Sequence, residues 1–248
     1  MLEAIARRLP SGCCQQNTRI EAVHREAGGG WQLSVSAAGT SSRERFDAVI
    51  VACPAPQAAR ILAAEHALLS AELAAIPYAG TNVIVQGYRR EQFRRWVQGF
   101  GFVVPRVAGR RILSTSFSSE KYAGRAPEDC VLTRTFVGGA CQPELLGLRD
   151  AELESLVAEE LGELLGLEGA PQRSLVVRWQ GVMPQYHVGH LERIARIDAF
   201  AAEMPGLELA GNAYRGVGIP QCVASGEGAA GRTLEYLTKT SSATPHRA

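Results

Sequence analysis

The stretch Ala210–Leu237, "AGNAYRGVGIPQCVASGEGAAGRTLEYL", sets glycine at 211, 216, 218, 226, 228 and 231, ahead of and inside what reads as a closing helix. A glycine inside a helix costs about 1 kcal/mol relative to alanine, so helix stability did not select these residues. The preceding "LELAG" reads as a short strand, which makes the whole a strand–turn–helix unit. At such a turn glycines let the backbone approach a ligand, and the first N–H groups of the helix point towards it. Small residues along the helix also let a flat ring come near. Plain close packing of helix on sheet explains the same pattern equally well. The run Gly216-Val217-Gly218-Ile219-Pro220-Gln221 lacks the third glycine of a dinucleotide fingerprint.

The chain has 248 residues, enough for one large domain or two small ones, with 46% hydrophobic and 21% charged residues. A formal net charge of +1 gives no electrostatic reason to expect nucleic acid. The pairs Arg89–Arg90, Arg94–Arg95 and Arg110–Arg111 read as solvated strand ends and turns. Cys13, Cys14, Cys53, Cys130, Cys141 and Cys222 form no C-x-x-C pair and read as reduced thiols of a cytosolic protein. "MLEAIARRLPSG" lacks the pattern of a signal peptide, and no apolar run reaches the length of a membrane span.

Residues 1–9 read as a short helix with Leu2, Ile5 and Leu9 on one face. "NTRIEAVHRE", a glycine turn and "WQLSVSA" form a hairpin, followed by the polar stretch "GTSSRER". In "FDAVIVACPAP" the apolar run Ala48–Ala52 is short and unalternating, which suits a strand covered on both faces. Helical segments continue from there to about Ala75. "TNVIVQGY", "GFGFVVP", "RRILSTSF" and "CVLTRTFVGG" then read as an antiparallel sheet. In "RDAELESLVAEELGELLG" the residues Leu153, Leu156, Val157, Leu161, Leu164 and Leu165 line one helical stripe, with Asp150 at the N-cap. "RSLVVRWQ" is a strand that Trp179 closes, and Pro184 breaks the segment after it. "GHLERIARIDAFAAEM" is a helix, and "KTSSATPHRA" a disordered polar tail. An α/β layer interrupted by a sheet domain fits this order.

Within "RWQGVMPQYHVGH", His187 and His190 stand three apart, but nothing completes a zinc ligand set. A capping or hydrogen-bonding role suits His190 better, and no metal is expected. There is no G-x-S-x-G, and Ser225 falls inside a predicted helix. The acidic residues from Glu152 to Glu163 sit on a polar helix face, so no carboxylate pair stands out.

Together, "FDAVIVACPAPQAARIL", "GFGFVVPRVAGRRILSTSFSSEKYAGRAP…TRTFVGG", "RWQGVMPQYHVGHLERI" and "LELAGNAYRGVGIPQC" resemble the carboxy-terminal part of the oxygen-dependent protoporphyrinogen and coproporphyrinogen oxidases. These are amine-oxidase-like FAD flavoproteins of haem synthesis. The resemblance runs from Leu2 to about Leu237. It implies a mixed α/β fold: a partial FAD-binding domain of the amine-oxidase type with an inserted antiparallel β-sheet substrate domain. The expected division is 1–60 and 201–240 for the FAD-binding parts, 61–200 for the substrate domain and 241–248 for the tail.

The implied activity is oxidation of a porphyrinogen to the porphyrin, with electrons passing through FAD to O2. Ile20 would meet the adenine end of FAD; Trp179, Val217, Gly218 and Ile219 would lie against the isoalloxazine, with Gly211 and Asn212 just before. Gly101, Val103 and Phe136 would line the porphyrin pocket. A helix start carries roughly half a positive charge, which favours the reduced flavin. No general base is assigned. The family's initial strand and G-x-G-x-x-G turn are not in this chain. The alternatives left open are an amine oxidase or desaturase-like flavoprotein, and a non-catalytic fragment without the pyrophosphate site. An N-terminal half or a homodimer would be the partner, in the cytoplasm, with weak peripheral contact to the inner face of the membrane.

Overall fold

The computed structural model describes residues 2–96 and 98–243. Two compact units share the chain: a first unit that runs up to Pro77 and resumes at Tyr186, and an inserted unit, Tyr78–Gln185.

The first unit opens with α1 (Leu2–Ala6), which buries nothing. Leu2 and Ile5 are exposed, and Leu9 lies beyond the helix end, so the expected apolar face is not covered by the described residues. β1 (Thr18–Arg25), β2 (Trp31–Ala37) and β3 (Thr40–Phe46) form an antiparallel meander around Val23, Trp31 and Val35. β3 is formed by the polar stretch that follows the hairpin, to which the sequence reading assigns no element. Its charged side chains suit an edge strand, where they discourage pairing with another chain.

β4 (Val49–Val51) pairs in parallel with β10 (Leu207–Leu209), and no third strand joins them among the described residues. The strand expected to be covered on both faces is therefore covered on one: Val51 is buried, but Ile50 is 39% exposed. α2 (Ala55–Leu62), α3 (Ala67–Ala74), α6 (His190–Ala202) and α7 (Ile219–Ala243) complete the unit. α3 is capped by His66, whose Nδ1 accepts from the Leu69 N–H at 3.0 Å. Its Nε2 faces Glu203 at 3.3 Å. From α3 the Glu72 carboxylate accepts from Arg196 of α6 at 2.7 and 3.0 Å. Arg193 of α6 lies 3.5 Å from the same carboxylate. His66 and Glu203 meet across an expected border, and residues 61–77 and 186–200 fall in the first compact unit rather than with the inserted sheet as expected. α7 continues through Ala243, past the expected start of the tail; 244–248 lie outside the described residues.

The inserted unit is a five-stranded antiparallel sheet in the order β6-β7-β8-β5-β9, made of β5 (Tyr78–Arg89), β6 (Gly101–Val103), β7 (Ile112–Phe117), β8 (Cys130–Gly138) and β9 (Arg173–Pro184). The short α4 (Ser118–Lys121) comes directly after β7. α5 (Asp150–Leu165) buries Leu153, Leu156, Val157, Leu161 and Leu165 against Ile84, Tyr88, Ile112, Phe117, Val131 and Val137 of the sheet.

The N-cap of α5 is Arg149, not Asp150. The Glu152 carboxylate accepts from the Arg149 N–H at 2.8 Å, the reciprocal half of a capping box. Asp150 turns instead to Arg178. Nor is the acidic face wholly exposed: Glu160 is 5% exposed, accepts from the Arg111 N–H at 2.9 Å and pairs with Arg110. The arginine doublets expected to be solvated all contribute ion pairs: Arg89 with Asp129, Arg90 with Glu120, Arg94 with Glu168, Arg110 with Glu163, and Arg111 with Glu159. All six cysteines are free, and burial raises the thiols of Cys53 and Cys130. No helix among the described residues is long and apolar enough to cross a membrane.

Two stability measurements check this packing. Leu161 is fully buried, so Leu161→Ala should cost about 3 kcal/mol in urea unfolding. The Arg196 hydrogen bond lowers the carboxyl of Glu72 below its ordinary 4.5. Its contribution is present above that pH and lost as pH falls through the depressed folded value. Glu72→Gln should therefore cost up to about 1 kcal/mol at pH 7. That difference should vanish in acid unfolding curves well below pH 4.5.

Candidate functional site

In the first unit the loop between β10 and α7 is held by two side chains from the "PQYHVGH" segment. Tyr186 donates its phenol O–H to the Asn212 carbonyl at 2.6 Å and accepts the Gly216 N–H at 2.9 Å. Its ring stacks on His190, with centroids 4.0 Å apart and planes 12° from parallel. His190, buried at the start of α6, bonds through Nε2 to the Tyr214 carbonyl at 2.9 Å. Partial burial raises the Tyr186 phenol and so favours its neutral, donating form. The hydrogen-bonding role expected of His190 is thus present, whereas nothing in the sequence singles out Tyr186. Its only signal is its place inside the segment that carries the resemblance.

This clamp leaves Val217 46% and Ile219 61% exposed. Gly218 accepts the Cys222 N–H through its carbonyl at 3.0 Å, and α7 begins at Ile219. A Cβ at Gly218 would run into the end of the Gln221 side chain. The mouth of α7 is poorer in donors than its sequence promises. Pro220 has no N–H, the Gly216 amide is used by Tyr186, and the Gly211 amide donates to Ser225 Oγ at 3.0 Å. Within the first turn Ile219 and Gln221 keep amides without an intrahelical acceptor. Further along, a Cβ at Gly226 or Gly231 would meet nothing within 4 Å, so these glycines are not forced by close packing within the described residues.

Ile20 lines a cavity of ≈ 410 Å³ with Val23, Leu33, Val49, Val51 and Ile61, flanked by Arg19 and Arg60. Such a mostly apolar slot fits the edge of a flat heteroaromatic ring. The glycine fingerprint for a pyrophosphate is not among the chain's residues.

In the inserted unit, strand alternation decides what shares a face. Val83 of β5 sits opposite Phe136 on one side and Val177 on the other. Phe136 faces Ser114, and Ser114 faces Val103. Two residues along in one direction Thr81 faces Trp179, and two residues along in the other, level with Val85, Ser116 faces Gly101. Gly101, Val103, Phe136 and Trp179 therefore lie on one face, the one away from α5. Gly101 and Val103 also share a shallow cavity with Phe100 and Phe102.

Trp179 does not close its strand. β9 runs on to Pro184 across an irregularity opposite Ala79–Thr81. As an edge strand it tolerates a proline at its end. Gly101 has a backbone reason of its own: its φ is +134°, and a Cβ there would collide with the Thr115 carbonyl and lie 2.7 Å from the Ser116 Cα. The fold thus groups Gly211, Asn212, Val217, Gly218 and Ile219 on one loop and helix start, puts Ile20 in its own cavity, and sets Trp179 on the inserted sheet. Among the described residues no group of three or more metal-binding side chains gathers.

These features belong to a known class. The profile of the flavin containing amine oxidoreductases matches residues 1–234, and the chain belongs to that family. It is 33% identical over 198 residues to a coproporphyrinogen III oxidase of Bacillus subtilis, covering 77% of this chain and 40% of that protein. It is 32% identical over 206 residues to a mitochondrial protoporphyrinogen oxidase of Nicotiana tabacum, covering 81% and 41% respectively. A crystal structure assigned as a protoporphyrinogen oxidase from Exiguobacterium sp. 255-15 superposes with a TM-score of 0.68 at 29% identity, covering 89% of this chain and 46% of that one. The chain spans about 40% of the length of these curated relatives.

Tyr186→Phe removes both the donor to Asn212 and the acceptor of the Gly216 N–H. Hydrogen exchange at the Gly216 amide should accelerate about tenfold. Gly101→Ala should lower stability by more than about 1 kcal/mol in chemical unfolding, because a left-handed φ and a backbone clash act together.

Proposed function

We propose that this chain is part of an FAD-dependent oxidase that converts a porphyrinogen, protoporphyrinogen IX or coproporphyrinogen III, to the porphyrin with O2 as acceptor, in haem synthesis. The observation that carries the reading is the open sheet face bearing Gly101, Val103, Phe136 and Trp179. It is supported by identity above 30% to relatives named for that chemistry. When bound, FAD would supply the redox chemistry, accepting two electrons with their hydrogens from the substrate and passing them to O2, which leaves as hydrogen peroxide.

The chain's own residues bind, orient and exclude water. The Ile20 cavity receives the adenine end. The amides of Ile219 and Gln221 and the positive end of α7 favour negative charge at the electron-accepting ring edge. Val217 and Ile219 shield that edge from water. Phe136, Val103 and Trp179 offer an apolar bed to a flat macrocycle. The Tyr186–His190 clamp fixes the loop on which this geometry depends.

Purifying the chain with FAD, alone and with the remaining length of a relative supplied as a second polypeptide, tests the reading. A yellow complex in the second case, and porphyrin fluorescence after adding a porphyrinogen, are expected. No flavin retained in either case overturns it. Peroxide released from an amine without porphyrin formation would assign the chain to amine oxidation instead.

A further inference from the structure

The five strands of the inserted sheet contain no aspartate or glutamate, yet they carry four arginines, at 89, 134, 173 and 178. Two are accounted for. Arg89 pairs with Asp129 at a strand end. Arg178 turns to the α5 side, where it meets Asp150 and donates to the carbonyls of Leu146 and Leu148 at 3.2 and 2.8 Å.

Arg134 and Arg173 stand on the other face. Arg134 lies opposite Val85, two residues from Phe136, and Arg173 lies opposite Gly87. Both are exposed, and neither forms an ion pair among the described residues. The Arg134 guanidinium lies 5.6 Å from the centre of the Phe136 ring, so it lies along the face beside the apolar patch. From strand spacing, the backbones of Arg134 and Arg173 are about 12 Å apart, two strands over and one pleat along. Next to them on the same face lie Val103, Phe136 and Val177, with Val83 buried between Phe136 and Val177. A flat apolar surface with two unpaired cations at one end and no carboxylate complements a flat apolar ring that carries carboxylates at one edge.

We propose that Arg134, seconded by Arg173, receives a carboxylate arm of the tetrapyrrole whose ring lies on the Phe136 row. This rests on the porphyrinogen reading above. The guanidinium matches a carboxylate with two parallel N–H donors, which a lysine cannot reproduce. With no acid nearby in the strands, nothing competes for it.

The test uses the full chain and two stable probes, coproporphyrin III with its four carboxylates and its tetramethyl ester, titrated by porphyrin fluorescence. Arg134→Gln should weaken the free acid about tenfold and leave the ester unchanged. Arg134→Lys should restore part of the loss, and Arg94→Gln, at a residue paired with Glu168, should change neither. Equal affinity of Arg134→Gln and wild type for the free acid overturns the assignment, as does an equal loss for acid and ester. If wild type binds neither probe, the porphyrinogen reading fails along with it, and the two failures are told apart by that one control.

Discussion

Burial of the α5 stripe on one face of the five-stranded sheet is the constraint on which the exposed face of the inserted unit depends. Leu153, Leu156, Val157, Leu161 and Leu165 cover Ile84, Tyr88, Phe117 and Val137. Side chains alternate along a strand, so fixing that face fixes the other. A shift of one residue in β8 would send Phe136 and Arg134 under the helix and lift Thr135 and Val137 out. The core thus determines which residues are offered to a ligand, although none of the core residues would touch one.

Much of this is legible in the sequence because it is periodic. The leucine spacing of α5 and the β-branched runs of β5, β7 and β8 announce themselves. The features that escape have no period. β3 is written in Thr, Ser, Arg and Glu and is a strand because β2 pairs with it across seven residues. β9 continues through Gly181 to Pro184 because β5 keeps pairing with it beyond Trp179. Asp150 reads as a cap by its chemistry, yet Arg178 claims its carboxylate. Tyr186 carries no pattern at all, since its partners are main-chain groups 26 and 30 residues away.

The glycine-rich stretch shows the two levels meeting. Its strand–turn–helix order is visible in sequence, and β10 and α7 realise it. Which amides remain available is not visible, because Ser225 and Tyr186 take two of them and Pro220 lacks a third. A helix terminus is therefore a smaller donor set than its glycine count suggests, because the Gly211 and Gly216 amides are already taken.

The β4–β10 ladder has a topological corollary. Three residues on each side run in the same direction, and among the described residues β10 meets no other strand along its far edge. Extending such a ladder in the same sense cannot be done by a hairpin. A newcomer from the same chain must be joined through a crossover of a dozen or more residues, usually a helix, wound in the right-handed sense. The edge therefore selects for architecture before it selects for side chains: a strand–helix unit can prolong it in kind, and a simple extended peptide lying alongside gains only the weaker grip of three residues' main-chain bonds.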